Sequence, residues 1–329
     1  MVRRIVAGFD PLVRLLLLAI LLATVAPVTG ESRVVAQHVS NTAIFLLFLL
    51  NGLRLPRAEV VRGIGHLRFL VPLVLWCFGA MTLAGWGISL ATTAWLPPMV
   101  ALGFLYLGCL PGTVQSATAY CSIAEGNVAL SVVAAALLNI LGVFVSAPLF
   151  SALAGSRGVG IDAASLAKVG LILLLPFAIG QIAQVKLGHL VREHRMLASW
   201  MDRSSIAIAV YVAFSGAVEQ GIWGLIDAAS WAVMLAAIAL LLLFGFGGAW
   251  LLGAALRLSR GDRIALLFAG GQKSIAMGAP LATVLFPAAA GILLLPLLAY
   301  HLLQLVVSAP LASRLAKREP QSPPSPGPG

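Results

Sequence analysis

Ile264-Ala265-Leu266-Leu267-Phe268-Ala269-Gly270-Gly271-Gln272-Lys273-Ser274-Ile275-Ala276-Met277 places an ammonium group inside an apolar run. An ammonium near the centre of a bilayer costs about 2.5–3.5 kcal/mol even on lenient insertion scales, so its presence implies a function or a specific partner. The paired Gly270 and Gly271 predict that the helix is interrupted there. A second interrupted segment, Leu110-Pro111-Gly112-Thr113-Val114-Gln115-Ser116, lies in the first half of the chain. Proline removes an N–H and disfavours helix for the residue before it. Two such breaks in corresponding halves of a chain point to a transporter binding site.

Outward from these stretches the chain is apolar almost throughout. Of 329 residues, 60% are hydrophobic and 10% charged, whereas a soluble domain carries about 25% charged residues. The apolar runs are continuous, without the alternation of a membrane β-barrel. The sequence therefore predicts an all-α polytopic membrane protein, with the lipid bilayer as a partner. The net charge of +10 does not indicate nucleic acid, because the basic residues are scattered through loops between apolar segments. Cys77, Cys109 and Cys121 sit in apolar segments and read as small buried hydrophobes. No zinc spacing, disulfide pattern or His-Glu-x-x-His helix occurs, and nearly all of the acidic residues fall in loops or at span ends. This pattern predicts neither an enzyme nor a bound cofactor.

Ten segments satisfy the length of a membrane span: 12–29, 35–53, 68–90, 97–122, 128–153, 165–184, 204–220, 227–254, 262–286 and 290–312. With an even count both termini share one side. That side then holds seventeen of the 21 Lys and Arg residues; only Arg33, Arg157 and Lys168 fall on the other, and Lys273 lies between. The positive-inside rule makes the rich side cytoplasmic, in a plasma membrane of the bacterial inner-membrane kind. The start, Met1 to Arg4 followed by Leu15–Leu18, also fits a signal peptide, whose removal would leave nine spans. The basic stretch 55–69 reads equally as an interfacial helix or as an ordinary loop. Residues 1–318 form one transmembrane domain, and the Pro/Ser/Gly-rich end, 319–329, is expected to be disordered.

Five spans per half put the second half into the membrane from the opposite side, giving inverted repeats at about 8–155 and 160–318. The fourth span of each half carries the break. Pro111, Gly112, Gly270 and Gly271 are expected to unwind the chain, and Gly126 to stop the second half of span 4. Unwound backbone must be buried in protein or line a wet cavity, and half-helix N-termini favour anions. Polar side chains gather at the breaks, which makes Thr113, Gln115, Ser116, Gln272, Lys273 and Ser274 candidates for substrate or ion binding. Thr118 reads as a hydroxyl bonded back to its own helix. Glu125 is expected at the non-cytoplasmic surface, with pairing to Lys273 as the alternative, and Asn127 as the N-cap of span 5. Asn139 reads as an interhelical hydrogen-bonding residue. His301 and Gln304 share one face of span 10 at i, i+3 spacing.

Pro111-Gly112-Thr113, Ser116 and Ala124-Glu125-Gly126-Asn127-Val128-Ala129-Leu130-Ser131 together resemble the span-4/span-5 signature of the bile acid:sodium symporter family. Gly271-Gln272-Lys273-Ser274 occupies the place of that family's span-9 motif. Thr-Val-Gln-Ser after Pro-Gly, combined with a Lys after the glycine break, is most similar to the branch of the seventh vertebrate member and its bacterial relatives. The resemblance covers roughly residues 8–318. It implies ten helices, with a panel domain of spans 1, 2, 6 and 7 and a core domain of spans 3–5 and 8–10. Helices 4 and 9 would be broken and cross in the core. It also implies a small organic anion moved together with sodium, as for bile acids.

Carried over residue by residue, the family's Ser-Asn sodium ligands fall on Ser116 and Ala117, so the Asn is missing. One extra residue also separates the Pro-Gly break from Gly126-Asn127. The serine at the start of span 5 corresponds to Ser131, the next hydroxyl ligand to Ala135, and the span-9 Glu to Phe268. Ser116, Ser131 and Gln272 are then the ligands left for a sodium ion. The resemblance thus implies a secondary transporter working by alternating access, coupled to sodium or to protons, with Lys273 standing for part of the ion site or binding the anion. The alternative is a membrane regulator or scaffold of the same fold that transports nothing.

Overall fold

The computed structural model describes residues 10–54, 66–155 and 163–316, and all regular structure among them is helical. Helix α1 is Pro11–Val25, α2 Gly30–Arg54, α3 Leu67–Ala91, α4 Pro98–Gly108 and α5 Gln115–Ile123. Then come α6 (Val128–Gly155), α7 (163–193) and α8 (Arg195–Glu219). The last four are α9 (Ala228–Ala255), α10 (Arg260–Gly271), α11 (Ile275–Leu285) and α12 (Ala290–Leu315). The expected tail and residues 55–65 of the basic stretch lie outside the described residues.

Six helices, α2, α3, α6, α7, α9 and α12, are long and apolar enough to cross a membrane, and α1 and α4 are shorter apolar helices. Large apolar side chains such as Ile182, Val185, Leu243 and Leu251 stand exposed on the outer surface. That surface suits lipid, where a helix satisfies its backbone groups internally. The protein is a polytopic helical membrane protein.

Local chemistry explains the helix ends. Asp10 caps α1 by accepting the Leu12 N–H at 2.7 Å, with Pro11 in the first turn where its missing N–H costs nothing. Asp227 caps α9 through the Ser230 N–H at 2.8 Å, and that bond lowers the Asp227 carboxyl pKa. Helix α3 contains Pro72 and a wide π turn, Trp76–Ala80. In that turn the Met81 N–H bonds to the Trp76 carbonyl, one residue earlier than in an α-helix, so it passes over the Cys77 carbonyl.

The junction after α5 corrects two expectations. Glu125, not Gly126, adopts the left-handed conformation, with φ 55°. The Gly126 N–H reaches the Cys121 carbonyl at 2.8 Å and the Glu125 N–H reaches Ser122 at 3.1 Å, a complete Schellman stop. Gly126 is glycine for space: a Cβ there would meet Ile264 Cβ at 2.9 Å and Cys121 Sγ at 2.7 Å. Nor does Glu125 lie away from the arginines. Its neighbour Asn127 bonds to the Gly261 carbonyl at 3.0 Å and to Asp262 at 2.8 Å, beside Arg260 and Arg263.

Asn127 does cap α6, accepting the Leu130 N–H at 3.0 Å. Asn127→Ala is expected to lower stability by about 1 kcal/mol, the usual worth of an N-cap. The check is the unfolding midpoint in detergent.

Helix α2 packs on α7 and α8, and α1 on α8; α3 packs on α4, α4 on α12, and α10 on α9, α5 and α6. Glycines permit the closest contacts. A Cβ on Gly52 would lie 3.0 Å from the Gly180 Cα, and one on Gly85 3.1 Å from the Gly108 Cα.

Candidate functional site

Two helical paths are interrupted inside the bundle. The first break separates α4 from α5 at residues 109–114; the second separates α10 from α11 at 272–274. The glycines do not act as expected. Gly270 and Gly271 remain in the last turn of α10, and neither they nor Gly112 has a positive φ. They are small for packing: a Cβ on Gly270 would lie 2.9 Å from Trp76 Cδ1, and one on Gly271 2.9 Å from the Phe246 ring. The chain leaves helical geometry one residue later, at Gln272, in extended conformation with φ −91° and ψ 152°.

The two breaks are tied to each other. The Ser274 N–H donates to the Pro111 carbonyl at 3.0 Å, and the Ser274 hydroxyl caps α11 by accepting the Met277 N–H at 3.3 Å. Thr113 and Ser116 hydroxyls donate to Gln272 Oε1 at 2.6 and 2.7 Å, while Gln272 Nε2 donates to Ser308 Oγ at 2.9 Å. The two hydroxyl oxygens also lie 2.6 Å apart. Two hydroxyl protons thus serve three close oxygen pairs, which makes the knot acceptor-rich. Ser131 stands apart: it is buried and donates to the Thr118 hydroxyl at 3.4 Å. Thr118 is thus an acceptor for a neighbouring helix rather than only a hydroxyl turned back on its own.

Lys273 is fully buried. Its Nζ donates to the carbonyls of Leu110 at 2.6 Å, Gly108 at 2.9 Å and Cys77 at 3.1 Å. An ammonium has three N–H bonds, so this donor set is complete. All three acceptors are carbonyls that helical geometry leaves over. Gly108 and Leu110 stand at the C-terminal end of α4, where the last carbonyls lack intrahelical donors. Cys77 is the carbonyl passed over in the π turn. Of the sequence alternatives, the broken-helix carbonyls are the partner and Glu125 is not; Glu125 is exposed. Nor does Nζ join Ser116, Ser131 or Gln272.

The main chain of Lys273 is held separately. Its N–H donates to Gln304 Oε1 at 2.7 Å, and its carbonyl accepts from Gln304 Nε2 at 3.0 Å. The same Nε2 meets His301 Nδ1 at 2.9 Å. Tyr300 donates to the Gly271 carbonyl at 2.6 Å.

A cavity of about 840 Å³ lies against both breaks. Thr113, Gln115, Ser116 and Ser274 line one side, with His301 beside them. Val13, Leu47 and Ile206, from α1, α2 and α8, line the opposite apolar side. Its charged rim is formed by Asp10, Arg54, Asp202 and Arg203, with Arg54 and Asp202 ion-paired. Gln115 is exposed to this space, while Lys273 is not among the lining residues. Asn139 also lines the cavity rather than serving a buried interhelical contact. The rim residues had no signal in the sequence beyond being charged near span ends. Ser308 and Tyr300 had none, because their partners are 36 and 29 residues away.

Residues 10–317 match the SBF-like CPA transporter family. An uncharacterized protein of Pseudomonas aeruginosa is 36% identical over 305 residues, 92% of either chain. The putative symporter YfeH of Escherichia coli is 34% identical over 317 residues, 95% of this chain and 94% of its own. Sodium/bile acid cotransporter 7 of Mus musculus is 23% identical over 291 residues, covering 83% and 82% of the two chains. With two tied breaks beside a cavity and a match along nearly its whole length, the chain belongs to the SBF-like CPA transporter family, transporters of the sodium/bile acid symporter type.

Proposed function

We propose that the protein is a secondary transporter of a small organic anion, working by alternating access in a bacterial inner membrane with both termini cytoplasmic. In this reading α4 with α5, and α10 with α11, each count as one broken span. The bundle then has ten spans in two inverted five-helix repeats, within a single domain reaching residue 318. The panel is α1, α2, α7 and α8, and the core is the rest. Packing of α1 and α2 on α8, and of α2 on α7, supports that division. The carrying observation is the cavity, which lies between an apolar wall from α1, α2 and α8 and the polar breaks. Its rim of Arg54 and Arg203 shares the arginine-rich end, so this conformation opens inward.

The N-terminal turns of α5 and α11 border the cavity, and helix N-termini favour anions. The apolar wall suits an organic body. Thr113, Gln115, Ser116 and Ser274 supply the polar contacts, with Gln272 behind them holding Thr113 and Ser116. Sodium is the weaker candidate for the ion that drives this cycle, and a proton is the other. Of its three candidate ligands, Ser131 is engaged elsewhere, Gln272 Oε1 already accepts two hydroxyls, and a lysine ammonium occupies the neighbouring carbonyls.

Purified protein in liposomes is expected to take up members of a panel of labelled organic anions, a bile acid among them, equally well in sodium or potassium. Uptake that requires sodium and survives Lys273→Ala overturns the ion assignment. No uptake of any anion, together with a stably co-purifying partner, favours the regulator or scaffold instead.

A further inference from the structure

Gln304 fixes the protonation of His301. Its Oε1 must face the Lys273 N–H, at 2.7 Å, because an amide nitrogen there would set donor against donor. Its Nε2 must therefore face the other way, and its two protons go to the Lys273 carbonyl at 3.0 Å and to His301 Nδ1 at 2.9 Å. Nδ1 is thus an acceptor, and the ring proton of neutral His301 resides on Nε2. An imidazolium carries protons on both nitrogens. It would turn an N–H toward the Gln304 N–H, break that contact and compete with Gln304 Nε2 for the Lys273 carbonyl. Gln304 cannot turn over to accept from it without also losing both bonds to Lys273.

The position of these residues gives the contact consequences. His301 lines the cavity, so protons reach it from there. Lys273 is the middle residue of the second break, and Gln304 is the side chain that pins its main chain.

We propose that His301 is the proton-binding residue of the cavity, and that a proton on His301 excludes the Gln304–His301 hydrogen bond and so weakens the Gln304 bridge to the second break. The bridge is at full strength while His301 is neutral and is weakened as pH falls and the ring takes its proton. Other ionisable groups set the field in which this occurs. Asp10 on α1, Arg54 on α2, and Asp202 and Arg203 on α8 share the cavity, with Arg54 paired to Asp202. Lys273 lies behind Gln304 with its ammonium turned to the carbonyls. Tyr120 on α5 donates to the Leu305 carbonyl at 3.2 Å, Tyr106 on α4 to Gly278 at 2.6 Å, and Tyr300 to Gly271 at 2.6 Å. Helices α9 and α11 bring no ionisable side chain.

The role of this proton as a coupling ion rests on the transport reading above; the exclusion itself does not. Nitrogen NMR of histidine-labelled protein in detergent, with the His301 signals assigned by their loss in His301→Asn, is expected to show the Nε2–H tautomer at mildly alkaline pH. In Gln304→Met, which keeps the volume but removes the bridge, His301 is expected to bind its proton about tenfold more tightly, the worth of one hydrogen bond to the neutral form. Gln304→Glu, with acceptor oxygens only, raises proton binding further. Hydrogen exchange of the peptide spanning the break, corrected for intrinsic rates, is expected to quicken in wild type below the pH at which the NMR titration shows His301 taking its proton, but not in His301→Asn. An Nδ1–H tautomer in wild type, unchanged proton affinity in folded Gln304→Met, or exchange that is equal above and below that pH overturns the proposal. These measurements need no substrate, so a protein that moves no solute still decides them.

Discussion

Lys273→Met is expected to lower stability by about 3 kcal/mol, the sum of desolvation costs for buried carbonyls left without a donor. Methionine keeps the unbranched apolar stem, so packing changes little. The Gly108 carbonyl retains a second donor, the Thr82 hydroxyl at 3.3 Å. The Cys77 and Leu110 carbonyls lose the ammonium and have no route to water. The cost of burying a charge disappears with the lysine, and that gain opposes the loss. The loss wins because an ammonium with three carbonyls has already recovered most of its hydration, whereas stranded carbonyls recover nothing. Unfolding of the variant in detergent, by heat or denaturant, measures the difference. An unchanged midpoint would show that the three carbonyls do not depend on Lys273. If the variant folds, uptake per folded molecule should still fall, because the second break is then tied to the first only through Pro111 and Gln272.

Gly112→Ala is the next most damaging change. A Cβ at this position would drive into the main-chain oxygen of Ala269 and lie 3.4 Å from Leu138 Cδ1. The oxygen belongs to the helix leading into the second break and cannot rotate away. The two breaks must therefore separate, which stretches the Ser274–Pro111 bond and the Gln272 contacts. A loss of about 1–3 kcal/mol is expected from such overpacking. Gly247→Ala is the control. Nothing lies within 4 Å of a Cβ there, and the position is within α9. Alanine in a helix interior is more favourable than glycine by roughly 0.5–1 kcal/mol, so the control should be neutral or stabilising. Equal behaviour of the two variants would remove close approach as the reason for glycine at 112.

The helical class and both breaks were legible in the sequence because each is a local property. Continuous apolar runs define spans, and Pro111 and the polar group 272–274 interrupt them. The roles of the glycines were not legible, because two opposite needs select the same residue. Gly126, Gly270 and Gly271 suggest unusual dihedrals, yet all three serve close packing, and the left-handed position falls to Glu125. Lys273 shows the same limit. Its burial was evident from its neighbours, but its partners include a carbonyl 196 residues away, freed by a π turn that no pattern announces. The pair His301 and Gln304 was visible as i, i+3 neighbours on one face. Their bonds to the Lys273 main chain were not, since only the fold sets α12 beside the second break.

The carbonyl cage around Lys273 has a consequence for energetics. A tethered cation has no concentration on either side of a membrane. In the alternating-access cycle proposed above it goes out and comes back with the protein, so no chemical gradient of that ion does work there. Only voltage acts on it, at about 2.3 kcal/mol per 100 mV for a unit charge carried across the whole field. A carrier built this way holds its countercharge as ballast, and must draw its driving force from something that dissolves.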